Sequence, residues 1–77
     1  MRNRSVFEAV LLAALSIRVL TRRAQLRLSQ QALADAARVD RKVISRIETR
    51  DAMPTAATIA AIAPVLRMRV SKLLGVP

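Results

Sequence analysis

LSQQALADAARVDRKVISRIE, residues 28–48, is the stretch that decides the fold. Ser29 and Asp40 each carry a side-chain oxygen that can accept a backbone N–H in the first turn of a helix, and each stands just before a helix-forming run. Leu33, Ala34, Val39, Ile44 and Ile47 are the apolar positions of the stretch. They suit two short helices joined by a tight link, both seated on one body. Helices that cross steeply must approach closely, and the small side chain of Ala34 permits this. Val39 fills the corner of the link. Ile44 and Ile47 seat the second helix, which leaves Arg41, Lys42, Ser45 and Arg46 facing outward.

On the N-terminal side, residues 1–4 read as a basic tail. SVFEAVLLAALSIRVLTRRAQL, residues 5–26, reads as one long helix or two short ones, with Ser5 as its N-cap. Val6, Val10, Ala13, Ile17 and Leu20 recur at three- and four-residue steps, and Phe7, Leu11 and Ala14 form a neighbouring row. An apolar arc this wide exceeds what a small monomer needs on a surface helix. Part of it is expected to meet another chain, and Phe7, Val10, Leu11 and Ala14 are the candidate interface residues. On the C-terminal side, Thr55 caps a helix beginning AATIAAIA. Pro64, lacking a backbone N–H, is expected to kink or shorten that helix. A last short helix, VSKLLG, follows Arg69 and stops at Gly75, a C′ residue.

The composition agrees with this all-helical reading. The chain has 77 residues, enough for one small domain, with a single Gly and no Asn-Gly or Asp-Gly hairpin signal. A body of this size buries only about 60% of its unfolded surface, which favours a partner subunit on stability grounds. Phe7 is the single aromatic residue, and the core must be built from Leu, Ile, Val and Ala. Cys and His are both absent, which excludes disulfides, thiolate zinc sites, haem ligation and imidazole acid–base chemistry. No cluster of nucleophile, base and orienting group suggests an enzyme, and no metal, cofactor or small-molecule ligand is expected. The net charge of +9 attracts polyanions, with nucleic acid first and an anionic membrane surface second. The most apolar run, residues 9–17, is too short to span a bilayer and is flanked by Glu8 and Arg18. The basic start followed by an apolar run has a superficial likeness to a signal peptide, which Glu8 interrupts.

The core stretch resembles the lambda-repressor-like, Cro-type helix-turn-helix family, also called the XRE family. It keeps the Ser-Gln opening, the Leu-Ala pair, the Val in the turn and the Ile-Ser-Arg-Ile-Glu ending. Downstream, MPTAATIAAIAPVLRMRVSKLL resembles the family's loop, fourth helix and fifth helix, and the likeness runs from about Ile17 to Leu74 without a gap. It implies a compact four- to five-helix bundle containing a helix-turn-helix over residues 15–77. Residues 1–14 are then a basic tail and apolar helix extension, a candidate dimerisation element. It also implies a DNA-binding transcription regulator, repressor or activator, with a recognition helix at 41–49. Arg41, Lys42, Ser45 and Arg46 stand where base edges are touched, and Ser29, Gln30, Arg38, Thr49 and Arg50 where phosphates are. Arg23 and Glu48 match an ion pair that ties the first helix to the recognition helix.

The physics of DNA recognition agrees: a helix fits the major groove, and Arg or Lys reads guanine O6 and N7 there. Arg2, Arg4, Arg22, Arg27, Arg38 and Arg50 add sequence-independent attraction to phosphate. Departures from the family pattern are equally specific. Arg38 and Arg50 replace usual glycines, Arg22 stands where a core Leu is common, and Asp40 replaces the usual Ser or Thr cap. Asp40 acts as cap only, or also selects the base met by Arg41. Double-stranded DNA and a second copy of the chain are the expected partners, in the cytoplasm on the nucleoid. Two other classes stay open. One is an interaction protein, such as an antitoxin, whose main activity is binding a regulatory protein partner. The other is a cationic membrane-surface protein, which leaves the gap-free motif unexplained.

Overall fold

The computed structural model describes residues 5–76. Five helices follow one another: α1 (Val6–Gln25), α2 (Gln30–Ala37), α3 (Arg41–Glu48), α4 (Ala56–Val65) and α5 (Val70–Leu74). Among the described residues there is no strand. The N-terminal segment is one helix of 20 residues rather than two. A division at residues 14 and 15 therefore falls inside a continuous element.

Local chemistry sets the helix starts. Ser5, Ser29, Asp40 and Thr55 each hold extended backbone and accept from the first turn: Ser5 from the Glu8 N–H, Ser29 from Ala32, Asp40 from Lys42 and Thr55 from Thr58. α5 begins at Arg69 with no side-chain cap. α4 runs one residue past Pro64 and then stops at Leu66. Pro64 sits in the last turn, so the single helical bond it forfeits does not divide the helix.

The helix ends share one device. After every helix a residue adopts the left-handed conformation: Arg27, Arg38, Arg50, Arg67 and Gly75. In each case its N–H donates to the carbonyl three residues back, and the next N–H reaches five residues back, as in Arg38 to Asp35 at 3.2 Å and Val39 to Ala34 at 3.0 Å. This Schellman arrangement favours glycine, because an L side chain there costs about 1–2 kcal/mol. Four arginines occupy it instead. A cation at a helix C-terminus offsets part of that strain, by about 0.3–1 kcal/mol, through the negative end of the helix dipole.

The core joins all five helices. Leu15 and Val19 of α1, Leu33 and Ala34 of α2, Ile44 and Ile47 of α3, Ile59, Ile62 and Ala63 of α4, Leu66 after it and Leu73 of α5 form one buried cluster, with Val39 packed against it. α1 buries Leu12, Leu15, Ser16 and Val19. The row Val6, Val10, Ile17 and Leu20 lies on the opposite side and is exposed, Val6 to 81% and Leu20 to 46%. Arg22, at a position suited to a core Leu, is only partly buried. Its Nε donates to the Leu66 carbonyl at 2.9 Å, which fastens the end of α4 to α1.

Candidate nucleic-acid interface

α3 is seated by its apolar side. Ile44 and Ile47 are fully buried, Val43 is partly buried, and Arg41, Lys42 and Arg46 are exposed. Asp40 Oδ1 accepts the Lys42 N–H at 2.8 Å, so the cap is formed and the first turn is held. Ser45 is half-buried rather than fully outward, which shortens its reach compared with its basic neighbours.

A polar network ties α3 to both preceding helices. Glu48 receives Arg23 in a two-pronged contact, Nε to Oε2 at 2.7 Å and Nη2 to Oε1 at 2.9 Å. The Gln30 amide donates to the same Oε1 at 3.0 Å. The Ser16 hydroxyl donates to the Glu48 backbone carbonyl at 2.9 Å, and Arg23 Nη1 donates to the Leu28 carbonyl at 2.8 Å. The chain of contacts ends at Arg41, whose Nη1 lies 3.4 Å from Gln30 Oε1. That distance is at the weak end of hydrogen bonding, so Arg41 is guided more than held.

The side chains of Arg23 and Glu48 are 17% and 6% exposed. Burial alone pushes the Glu48 carboxyl upward. Hydrogen bonds from Arg23 and Gln30 and the Arg23 charge outweigh it, leaving the carboxyl below its ordinary value. The hydrogen bond to Glu48 raises the Arg23 guanidinium, against the opposing effect of burial. Both groups are thus held charged, and a fork-to-fork geometry fixes orientation as well as energy. A rigid α3 follows: its C-terminal end is fastened by Glu48, its N-terminal end by Asp40, and its back by Ile44 and Ile47.

The remaining candidates differ in how free they are. Ser29 is exposed at the start of α2, its oxygen engaged as a cap. Gln30 serves the network through both ends of its amide. Arg38 and Arg50 are exposed at the left-handed positions that close α2 and α3. The Thr49 hydroxyl lies 2.9 Å from both the Ser45 carbonyl and the Asp51 carboxylate. One proton cannot serve both fully, so the hydroxyl is shared between the two acceptors. Arg2 and Arg4 lie outside the described residues.

A family model described as Helix-turn-helix matches residues 19–73, well over half of the chain. The chain belongs to the XRE family, the Cro and lambda-repressor-like helix-turn-helix proteins. Neither the curated proteins nor the solved structures supply a significant match. The helix-turn-helix itself is α2 and α3, and membership marks the chain as carrying the domain of a DNA-binding transcription regulator. The match begins at residue 19, inside α1, so the exposed apolar row at Val6 and Val10 precedes it.

Several features around the helix-turn-helix are not visible in the sequence pattern. The Ser16 bond to the Glu48 carbonyl and the Arg22 bond to Leu66 join residues 32 and 44 apart, and no local pattern signals them. Arg27 and Arg67 share the left-handed conformation of Arg38 and Arg50. Their positions just after apolar helical runs carried the signal. The four dimer candidates, Phe7, Val10, Leu11 and Ala14, line one groove together with Leu74 and Val76; Phe7 and Val10 are exposed, and Leu11 and Ala14 are half-buried. No helix of the described residues is long and apolar enough to cross a membrane.

Proposed function

We propose that this protein is a sequence-specific, double-stranded-DNA-binding transcription regulator that acts as a homodimer on a near-palindromic operator. α3 enters the major groove, and Arg41, Lys42 and Arg46 meet base edges, with Ser45 in a lesser role. Ser29, Gln30, Arg38, Thr49 and Arg50 approach the phosphates on either side, Thr49 in a lesser role because its hydroxyl is engaged by Ser45 and Asp51. Two copies place their recognition helices in successive major grooves about 34 Å apart. Catalysis has no part in this reading, and neither does a metal, a cofactor or a small ligand. The site of action is the cytoplasm, at the nucleoid.

The observation that carries the reading is the outward row of Arg41, Lys42 and Arg46 on a helix whose back and C-terminal end are fastened by Ile44, Ile47 and Glu48. A cation on a mobile stem attracts phosphate. A cation on a fixed helix can also discriminate bases, by about 1–3 kcal/mol for a good bidentate contact. The exposed row Val6, Phe7, Val10, Ile17 and Leu20 supports self-association. The same row suits a regulatory protein partner, such as the toxin half of a toxin–antitoxin pair, which is the second reading.

Selection of bound duplexes from a random pool tests the proposal. Enrichment of a site with two-fold symmetry is expected. Arg46→Ala should weaken that site by about 5- to 150-fold and random duplex far less. Equal losses on both would make Arg46 a phosphate contact, and a pool that never converges would remove sequence specificity from the reading.

A further inference from the structure

A second group of cations lies away from α3. Arg22 and Gln25 of α1 face Arg67, Met68, Arg69 and Lys72 of the α4–α5 corner across a groove, and Arg18 extends it along α1. Among the described residues, no Asp or Glu lines this groove, and none is paired with Arg67, Arg69 or Lys72. The acidic residues are placed elsewhere: Glu8 near the start of α1, and Asp35, Asp40, Glu48 and Asp51 on or beside α2 and α3. The groove also takes no residue from α2, α3 or the link between α3 and α4.

The cations are of two kinds. Arg22 is fixed, its Nε on the Leu66 carbonyl at 2.9 Å and its Nη1 near Gln25 Oε1 at 3.3 Å. Arg67, Arg69 and Lys72 are exposed and surround it. Arg67 stands in the left-handed conformation, where glycine satisfies the backbone better, so its guanidinium is present against a conformational cost. A groove with cations of one sign and a low-dielectric wall focuses field on an incoming anion. Arginine forks match phosphate oxygens two at a time. A protein partner instead needs apolar side chains as anchors at the centre of its contact; by residue type only Ile17 and Met68 are apolar here, and the rest of the apolar surface is the carbon stems of side chains that end in polar or cationic groups.

We propose that this groove binds the phosphate backbone of a second DNA segment, without reading bases, so that one chain joins two stretches of duplex. The inference rests on the proposed function only for the first duplex, under α3; the groove's own affinity for phosphate stands apart from it.

The test uses the full chain, one immobilised random-sequence duplex and a second, fluorescent duplex. Wild type should retain the fluorescent duplex on the immobilised one. The combined variant Arg67→Gly, Arg69→Gln, Lys72→Gln leaves Arg22 and α3 intact. It should lower that co-capture about tenfold or more, with a salt dependence shallower by about 0.9 per lost phosphate contact, while binding to a single duplex changes little. Lys72→Gln alone, on an exposed helical position, gives a smaller loss in the same direction and covers the case of a misfolded combined variant. Co-capture equal to wild type in both variants overturns the proposal. Equal loss of single-duplex binding and co-capture overturns it too, because the groove then lies on the first duplex. Poly-glutamate binding that the variants abolish, with no co-capture by wild type, assigns the groove to an acidic protein segment instead. Arg41→Ala with Lys42→Ala and Arg46→Ala separates the two readings: if it still prefers the selected site over random duplex as wild type does, the α3 reading fails while the groove result stands.

Discussion

The two halves of α1 have opposite surroundings. From Leu15 to Arg23 the helix is pinned: Leu15 and Val19 are fully buried, Ser16 and Arg23 bond to Glu48, and Arg22 bonds to Leu66. From Val6 to Val10 it presents apolar side chains to solvent, Phe7 to 79% and Val10 to 63%. The first set is directional and tied to named partners. The second is non-directional surface that loses free energy while it stays wet. One element therefore contains a part that specifies the fold of its own chain and a part that remains available to another. Substitutions should divide accordingly, some changing stability and others association.

Leu15→Ala should have the largest effect, about 2–5 kcal/mol of destabilisation in urea unfolding. It should be nearly independent of protein concentration, because the lost packing is within one chain. If it proved strongly concentration-dependent, the distinction between the halves would fail.

Glu48→Gln should cost about 1–3 kcal/mol at neutral pH, since Arg23 loses its charged partner but keeps an acceptor. The pH dependence sharpens this. The folded Glu48 carboxyl lies below its ordinary value, so the unfolded chain takes up the proton first as pH falls. The pair's contribution is complete above the unfolded value of about 4.3 and is lost as pH drops through the folded value. The gap between wild type and Glu48→Gln should accordingly narrow from pH 6 toward acid. A constant gap would show that charge contributes nothing to the tie.

Val10→Ser tests the other half. Sedimentation equilibrium should show a weaker self-association, by about 1–2 kcal/mol for each buried Val removed, with little change in the unfolding of dilute protein. An unchanged association constant would remove this face from the dimer.

The same contrast explains what was legible in the sequence. Caps were, because Ser5, Ser29, Asp40 and Thr55 act within their own first turn. The helix-turn-helix was, because Leu33, Ala34, Val39, Ile44 and Ile47 must sit at fixed spacings for two short helices to cross. The orientation of α1 was not. It is apolar around most of its circumference, so the row Val6, Val10, Ala13, Ile17, Leu20 looked as suitable for burial as Leu12, Leu15 and Val19, and only the tertiary structure distinguishes them. Arg22 was opaque for a related reason. A residue identity cannot disclose that its partner is a backbone carbonyl 44 positions away.

The smallest effect concerns the arginines that close the helices. Arg38→Gly relieves about 1–2 kcal/mol of left-handed strain. It also gives the unfolded chain about 0.5–1 kcal/mol of extra entropy and removes a cation worth about 0.3–1 kcal/mol at the C-terminus of α2. These contributions nearly cancel, so the melting temperature should hardly move. The charge itself does not cancel. If Arg38 lies at the phosphates, the salt dependence of duplex binding should become shallower by about 0.9, and Arg50→Gly should behave alike at the end of α3. A residue that leaves stability untouched and changes only the salt response is retained for what it meets outside the chain; a residue that changes neither would mean the left-handed arginines are tolerated merely because their strain is offset within their own helices.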